Sequence, residues 1–205
     1  MGNTIIESLN KLLGRRRPVE PFLLAQPLSE NFCHVDLGCG SRKASAAVLG
    51  HPDRKADIGI DICPDNGAVD IVCPLGLEKI PLKDNSVDLV TAHDFMEHIP
   101  RQTVVPNALG HLEYRNPTLY LVNEIHRILK SGGYFEAIVP SLPEYPSGAV
   151  RDPTHVSFYS LESFDYFCFG RFEMLARSYG LERPFERVSC KIIRGSHIQA
   201  LLRKT

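Results

Sequence analysis

The stretch that most restricts this chain is HVDLGCGSRK at 34–43, where an apolar strand runs straight into two glycines separated by one residue. Glycine tolerates the left-handed backbone of a tight turn and lets main chain come close to a ligand. A helix expected directly after the turn would add free amide donors and the positive end of its dipole. The same device serves dinucleotides, so the third glycine of G-x-G-x-x-G becomes decisive. That position holds Lys43, too bulky for close helix–strand packing and for a pyrophosphate, which argues against a nicotinamide or flavin dinucleotide.

From residue 32 onward, short β-rich apolar runs alternate with polar or helical stretches, the pattern of βαβ units. The fold class is therefore α/β, with a mainly parallel sheet and helices on both faces. Strands are expected at Phe32–Leu37, Ala56–Ile62, Val69–Val72, Val87–Ala92 and Tyr134–Val139. The clearest helix opens at Asn116-Pro117, a side-chain cap followed by proline at the first helical position, and Gly132-Gly133 ends it. Arg127 and Lys130 fall in its last turn, where the helix dipole favours cations. Pro140, Pro143 and Pro146 predict a loop after the fifth strand, over the carboxyl edge where open parallel sheets bind ligands. Beyond it, Leu161–Phe169 reads as helix, and Phe172–Ser178 with Phe185–Arg194 as a C-terminal antiparallel hairpin.

The 205 residues carry 43% apolar side chains, enough to bury a sizeable core, and no linker divides them. The reading is one domain over 31–205 behind an N-terminal helical extension over 1–30. In that extension Ile5, Ile6, Leu9, Leu12 and Leu13 share a helical face ahead of Arg15, Arg16 and Arg17. It would pack on the domain, with a weak membrane-surface contact as the other reading. No run reaches the roughly 20 apolar residues of a bilayer span, and no cleavable leader pattern stands at the start, which points to the cytoplasm. Lys and Arg number 23 against 24 Asp and Glu, so no basic field requires nucleic acid as a partner. Six cysteines without C-x-x-C, and histidines without H-E-x-x-H, predict reduced thiols and no metal site.

A second motif, IGIDICP at 58–64, ends a strand on Asp61, a little beyond the usual ≈20 residues after the glycines. A carboxylate there can accept both ribose hydroxyls. Alone it also suits a turn or a cap. The order of strand, glycine turn, helix, strand and acid is what points to a nucleoside site.

With these residues in view, the chain resembles the class I S-adenosylmethionine-dependent methyltransferases across about residues 32–168. DLGCG at 36–40 is similar to their first motif, IPLKDNSVDLVTAHDFMEHI at 80–99 to the stretch around their fourth strand, and EIHRILKSGGYFEAIVP at 124–140 to the helix, glycine turn and fifth strand. RDPTHVSFYSLESF at 151–164 is similar to a D-P-T-H segment in small members found beside glycan and lipopolysaccharide genes. The resemblance implies a Rossmann-like fold, S-adenosyl-L-methionine as cofactor, and cofactor contacts from Asp36, Gly38, Cys39, Gly40, Asp61, Ile62, Leu75 and His93. The chain departs from the family at Arg42, where many members have glycine, and at Pro74, where relatives place an acid toward the adenine. That contact is then expected from backbone near Leu75. Residues 101–115 are longer than a minimal member needs and read as a substrate lid.

On the acceptor side, the expected base is His155, with Asp152 three residues away to orient it. The same D-P-T-H turn also suits an Asp that caps backbone and a His that bonds a carbonyl. Glu97 and His98 read either as pocket groups or as a helix-end pair. An N/D-P-P-Y amino-methyltransferase motif is missing at 93–96, and Cys73-Pro74 follows the third strand rather than the fourth or fifth, so nucleobase classes recede. A small-molecule, glycan or lipid-linked acceptor is expected; the competing reading is a non-catalytic relative that binds the cofactor or a partner. Oligomeric state is open.

Overall fold

The structure, a computed structural model, describes residues 27–205. The expected N-terminal helix and its apolar face lie outside the described residues. Among the described residues, β1 (His34–Leu37), β4 (Ile58–Asp61), β5 (Ile71–Val72), β6 (Val87–His93), β9 (Leu129–Pro140), β10 (Glu186–Ile193) and β11 (His197–Arg203) form one seven-stranded sheet. Its order is β10-β11-β9-β6-β1-β4-β5. The five strands from β9 to β5 are parallel, and β11 and β10 add antiparallel to that edge. This is the Rossmann-like arrangement with a C-terminal antiparallel pair, and no helix of the described residues is long and apolar enough to cross a membrane.

Alternation along the strands divides the sheet into two unlike faces. One is apolar: Val35, Leu37, Ile60, Val90, Ala92, Phe135, Ala137, Val139, Ile198, Ala200 and Leu202 form a continuous core with Leu121, Val122, Ile125 and Ile128 of helix α1 (Pro117–Ile128). At about 25 cal/mol per Å2, burying such side chains from one helix alone is worth several kcal/mol, which dominates the stability of this face. The opposite face carries two hydrogen-bonded sets, His34–Thr91–Asp36 and His93–Glu136–Gln199. A smaller cluster of Ala46, Val48, Leu89 and Leu201 closes part of that side, with Val48 contributed by the 3-10 helix η1 (Ala47–Leu49).

Helix α1 starts where its cap predicts, with the Asn116 side chain accepting the Leu119 N–H at 2.9 Å. It ends four residues before the glycine pair, because Leu129 already pairs with Val87 as the start of β9. The cation at its C-terminus comes from elsewhere in the chain. Lys204, buried, donates to the carbonyls of His126 and Leu129 at 2.7 Å each, while Arg127 folds back onto Glu124 and Asp84.

Three local expectations are corrected. No α-helix follows the glycine turn: β2 (Ser45–Ala46) and β3 (His51–Lys55) form a hairpin there, with the single turn of η1 between them and Gly50 in the left-handed region at φ 87. The segment Glu173–Ser178 is helix α3, and the final hairpin is β10–β11, turned by Arg194 and Gly195 at positive φ. Gly180 ends α3 instead of turning a hairpin, which explains the misplacement, since glycine punctuates both. Pro146 opens the single-turn helix α2 (Pro146–Val150) within the expected loop, proline being favoured at a first helical position. The stretch at 101–115 is a separate hairpin of β7 (Thr103–Pro106) and β8 (Leu112–Arg115).

A candidate cofactor cleft and an acceptor-side cluster

The carboxyl ends of β1, β4 and β6 bring the sequence motifs together. Gly38 and Gly40 both adopt positive φ, 65 and 52, so the turn needs both glycines. At Gly38 a β-carbon would also lie 2.2 Å from the Phe95 ring, so an aromatic side chain from the loop after β6 rests on the first glycine. Asp61 at the end of β4 reaches across: its carboxylate accepts the Gly40 N–H at 2.9 Å and the Cys63 N–H at 3.0 Å. Asp61 and the glycine turn are thereby one hydrogen-bonded unit. The next residue, Ile62, leaves an apolar side chain 63% exposed beside that carboxylate.

Asp36 holds the turn from beneath. Buried, it accepts the Ala44 N–H at 2.7 Å and the Thr91 hydroxyl at 2.6 Å. Burial raises its pKa, with the two hydrogen bonds opposing. Because Thr91 gives its one proton to Asp36, the His34 Nε2–H donates to Thr91 at 3.0 Å, which leaves His34 Nδ1 buried without a partner. Desolvation accordingly lowers the His34 pKa to about 4. His93 pairs through Nε2 with Glu136 Oε2 at 2.9 Å. Burial alone would lower its pKa, but the hydrogen bond and charge of Glu136, with Asp36 and Asp94, outweigh that and raise it.

Cys39 is buried with its thiol toward the Ala68 carbonyl, and burial pushes that thiol up to about 11. The Leu75 N–H is bonded to the Cys73 carbonyl at 2.9 Å and is not a spare donor. Of the eight residues expected at the cofactor, the structure gathers Asp36, Gly38, Cys39, Gly40, Asp61, Ile62 and His93 at adjoining strand ends, with Asp36 and Cys39 facing protein. S-adenosylmethionine fits the rest: a carboxylate with remaining lone pairs, an exposed apolar side chain next to it, and open backbone at Gly40, with Phe95 covering Gly38.

The loop after β6 forms the other half. Asp94 takes positive φ, 48, and the 3-10 helix η2 (Met96–His98) presents Glu97 and His98 to the loop that carries D-P-T-H. The Glu97 carbonyl accepts the N–H groups of Val156 and Ser157, each at 2.9 Å, so the two loops are clasped. His155 Nε2 lies 4.0 Å from Glu97 Oε1 and 3.9 Å from Asp152 Oδ2, while its Nδ1 bonds the Ala149 carbonyl at 3.0 Å. The 3.9 Å separation is too long for a hydrogen bond. Asp152 instead caps its own turn, accepting the Thr154 N–H at 2.8 Å and hydroxyl at 2.6 Å. Thr154 then holds His98 Nδ1 at 3.0 Å, and the His98 and His155 rings meet edge-on at 4.8 Å.

Glu97 is the group whose importance is not visible in sequence. It is only 2% exposed, its Oε2 has no hydrogen-bond partner, and burial, with the charges of Asp94 and Asp152, raises its pKa to about 8 against the local backbone hydrogen bond. The spacing of EH in HDFMEH shows a helix end but not that His155 closes on it from 57 residues along. A cavity of about 250 Å3 opens nearby, lined among others by Arg101, Tyr159, Tyr166, Phe167 and Tyr179; the Tyr159 hydroxyl donates to the Met96 carbonyl next to Glu97. A second, of about 270 Å3, lies by Arg127 and Lys204, at the end of α1.

Comparison with known proteins agrees with this geometry. The family described as a methyltransferase domain matches residues 35–137, half of the chain. No curated protein sequence matches. Among solved structures, a SAM-dependent methyltransferase of Aquifex aeolicus is 17% identical with a TM-score of 0.50, covering 87% of this chain and 85% of that one. A SAM-dependent methyltransferase of Thermotoga maritima is 17% identical with a TM-score of 0.52, covering 98% and 96%. A Haloferax volcanii methyltransferase, solved in complex with the Trm112 methyltransferase activator, is 17% identical with a TM-score of 0.53, covering 87% and 85%. At such identities the likeness is one of fold. The family match extends from the start of β1 into β9, across the glycine turn, Asp61 and the η2 loop, and on that ground the chain belongs to the methyltransferase-domain family.

Proposed function

We propose that the protein transfers a methyl group from S-adenosylmethionine to a small-molecule, glycan or lipid-linked acceptor in the cytoplasm, with no obligatory nucleic acid. The observation that carries this is the bond between Asp61 and the Gly40 N–H, which fixes the carboxylate beside a turn that only glycine can make. When bound, the cofactor supplies a methyl group already activated on a sulfonium. The chain then has to hold the partners in line and exclude water. Asp61 would accept the ribose hydroxyls, Ile62 would offer an apolar contact to the adenine, and Gly38 and Gly40, with Phe95 and His93, would hold the methionine end.

Acceptor activation falls to the cluster of Glu97, His98 and His155. With Nδ1–H donated to the Ala149 carbonyl, His155 keeps its lone pair on Nε2, the atom that would take a hydroxyl or amine proton. Asp152 acts as a positioning residue through Thr154. The β7–β8 hairpin supports an acceptor with an apolar part, since Val104, Leu109, Leu112 and Tyr114 are exposed on it.

A non-catalytic, cofactor- or partner-binding relative is the second reading, favoured by Phe95 resting on Gly38 and by cavities that the glycine turn does not line. A methyl-transfer screen with labelled cofactor against nucleotide-sugars, glycolipids and small hydroxylated compounds tests the choice. Labelled product that falls by about 100-fold or more in His155→Ala supports the acceptor-side assignment. Cofactor binding with no product from any class favours the second reading, and normal turnover by His155→Ala would refute the base.

A further inference from the structure

We infer that Glu97, His98 and His155 form a binding site for one divalent transition-metal ion. Each residue brings a ligand atom, one carboxylate oxygen and two imidazole nitrogens, and all three atoms lie within 4.8 Å of one another. Ligand atoms stand about 2.0–2.2 Å from a zinc-like ion, so closing this set requires each to move inward by less than about 1 Å. The site is assembled from both clasped loops, at a place fixed by the Glu97 carbonyl and the Val156 and Ser157 amides.

Two independent features point to a cation and not to a chance meeting of side chains. Glu97 Oε2 is buried and lacks a hydrogen-bond partner, an arrangement that costs free energy unless something complements the oxygen. Both histidines are also held in the manner of metal ligands, which usually anchor one ring nitrogen on a carbonyl or other acceptor and leave the second free. His155 Nδ1 is on the Ala149 carbonyl, and His98 Nδ1 is on Thr154, itself fixed by Asp152. Two imidazoles and one carboxylate suit Zn2+, Fe2+, Co2+ or Mn2+ and leave further positions on the ion open.

The inference deepens the proposed acceptor-side role of this cluster and rests on that reading only for what the open positions would hold. In the metal-loaded protein His155 Nε2 would be a ligand and not the base assigned above; the ion would lower the pKa of a coordinated hydroxyl, whose proton would leave to solvent.

The test is a titration of the full, untagged, chelator-stripped chain with Co2+, without S-adenosylmethionine, followed by calorimetry and visible absorption. One ion per chain is expected, with the spectrum of nitrogen and oxygen ligation and no thiolate charge-transfer band. Glu97→Gln and His155→Gln should each weaken binding by at least about 10-fold, and Thr154→Val, which removes a support of His98, by a smaller factor. His111→Gln, on the exposed hairpin, should bind like the parent protein. If Glu97→Gln does not fold, His98→Gln carries the same expectation. Absence of saturable binding, or equal binding by the parent chain and these ligand variants, overturns the site. A protein that binds Co2+ but not S-adenosylmethionine overturns the proposed function and leaves the site standing; the converse result does the opposite.

Discussion

The two halves of the candidate site are built by opposite means. The cofactor side is made of backbone: two left-handed glycines and a strand-end carboxylate, all within residues 36–62 and tied by adjacent parallel strands. The acceptor side is made of side chains, from residues 94–98 and 149–157, that meet only because two loops clasp. Geometry written into backbone conformation leaves a compact signature, since few residues satisfy it. Geometry written into long-range side-chain contact leaves almost none.

The largest expected effect breaks the backbone half. Gly38→Val combines a strained positive φ with a β-carbon inside the Phe95 ring, and should cost about 3 kcal/mol or more in urea unfolding. A stable Gly38→Val protein would mean that the turn is not constrained as described. Next, Asp61→Ala removes the acceptor of two N–H groups as well as the ribose contact, and should weaken S-adenosylmethionine binding by about 10- to 100-fold in calorimetry. Affinity unchanged in that variant would detach Asp61 from the cofactor.

The polar face beneath the turn gives a pH test. The His34 pKa is about 4 in the fold and 6.5 when exposed, so the unfolded chain binds the extra proton first on acidification. Its neutral-state contribution is complete above pH 6.5 and is lost as pH falls toward 4, on the order of 2 kcal/mol by pH 4.5. Unfolding free energies of the parent chain and His34→Gln should therefore converge as pH falls across this range; parallel curves would show that folding leaves the His34 pKa where it is in the unfolded chain. The smallest effect belongs to the acceptor side. Asp152→Ala removes a cap on an exposed turn and should leave urea unfolding nearly unchanged, while Co2+ affinity falls because Thr154 and His98 lose their support.

The contrast also explains what could be read from residues alone. The sheet, its parallel order and the Asn116 cap follow from alternating apolar runs and one local side-chain bond. Asp61 and the two glycines follow from a motif whose members are close in sequence. The β2–β3 hairpin in place of a helix did not, because Ser45–Leu49 is short and apolar enough for either, and the cap that would distinguish them is missing. Asp152 and His155 are neighbours in sequence, and the His155 N–H donates to the Asp152 carbonyl, yet their side chains do not share a hydrogen bond, the Asp152 Oδ1 being taken by Thr154. Glu97 reads either as a pocket group or as a helix-end acid until its burial and the approach of His155 are known.

The most direct test is thermal unfolding with S-adenosylmethionine and, separately, with NAD. Saturation near 100 times Kd should stabilise the protein by about 2.7 kcal/mol with S-adenosylmethionine, with no shift from NAD and a much smaller one in Asp61→Ala at the same concentration. A shift with NAD and none with S-adenosylmethionine would contradict the account.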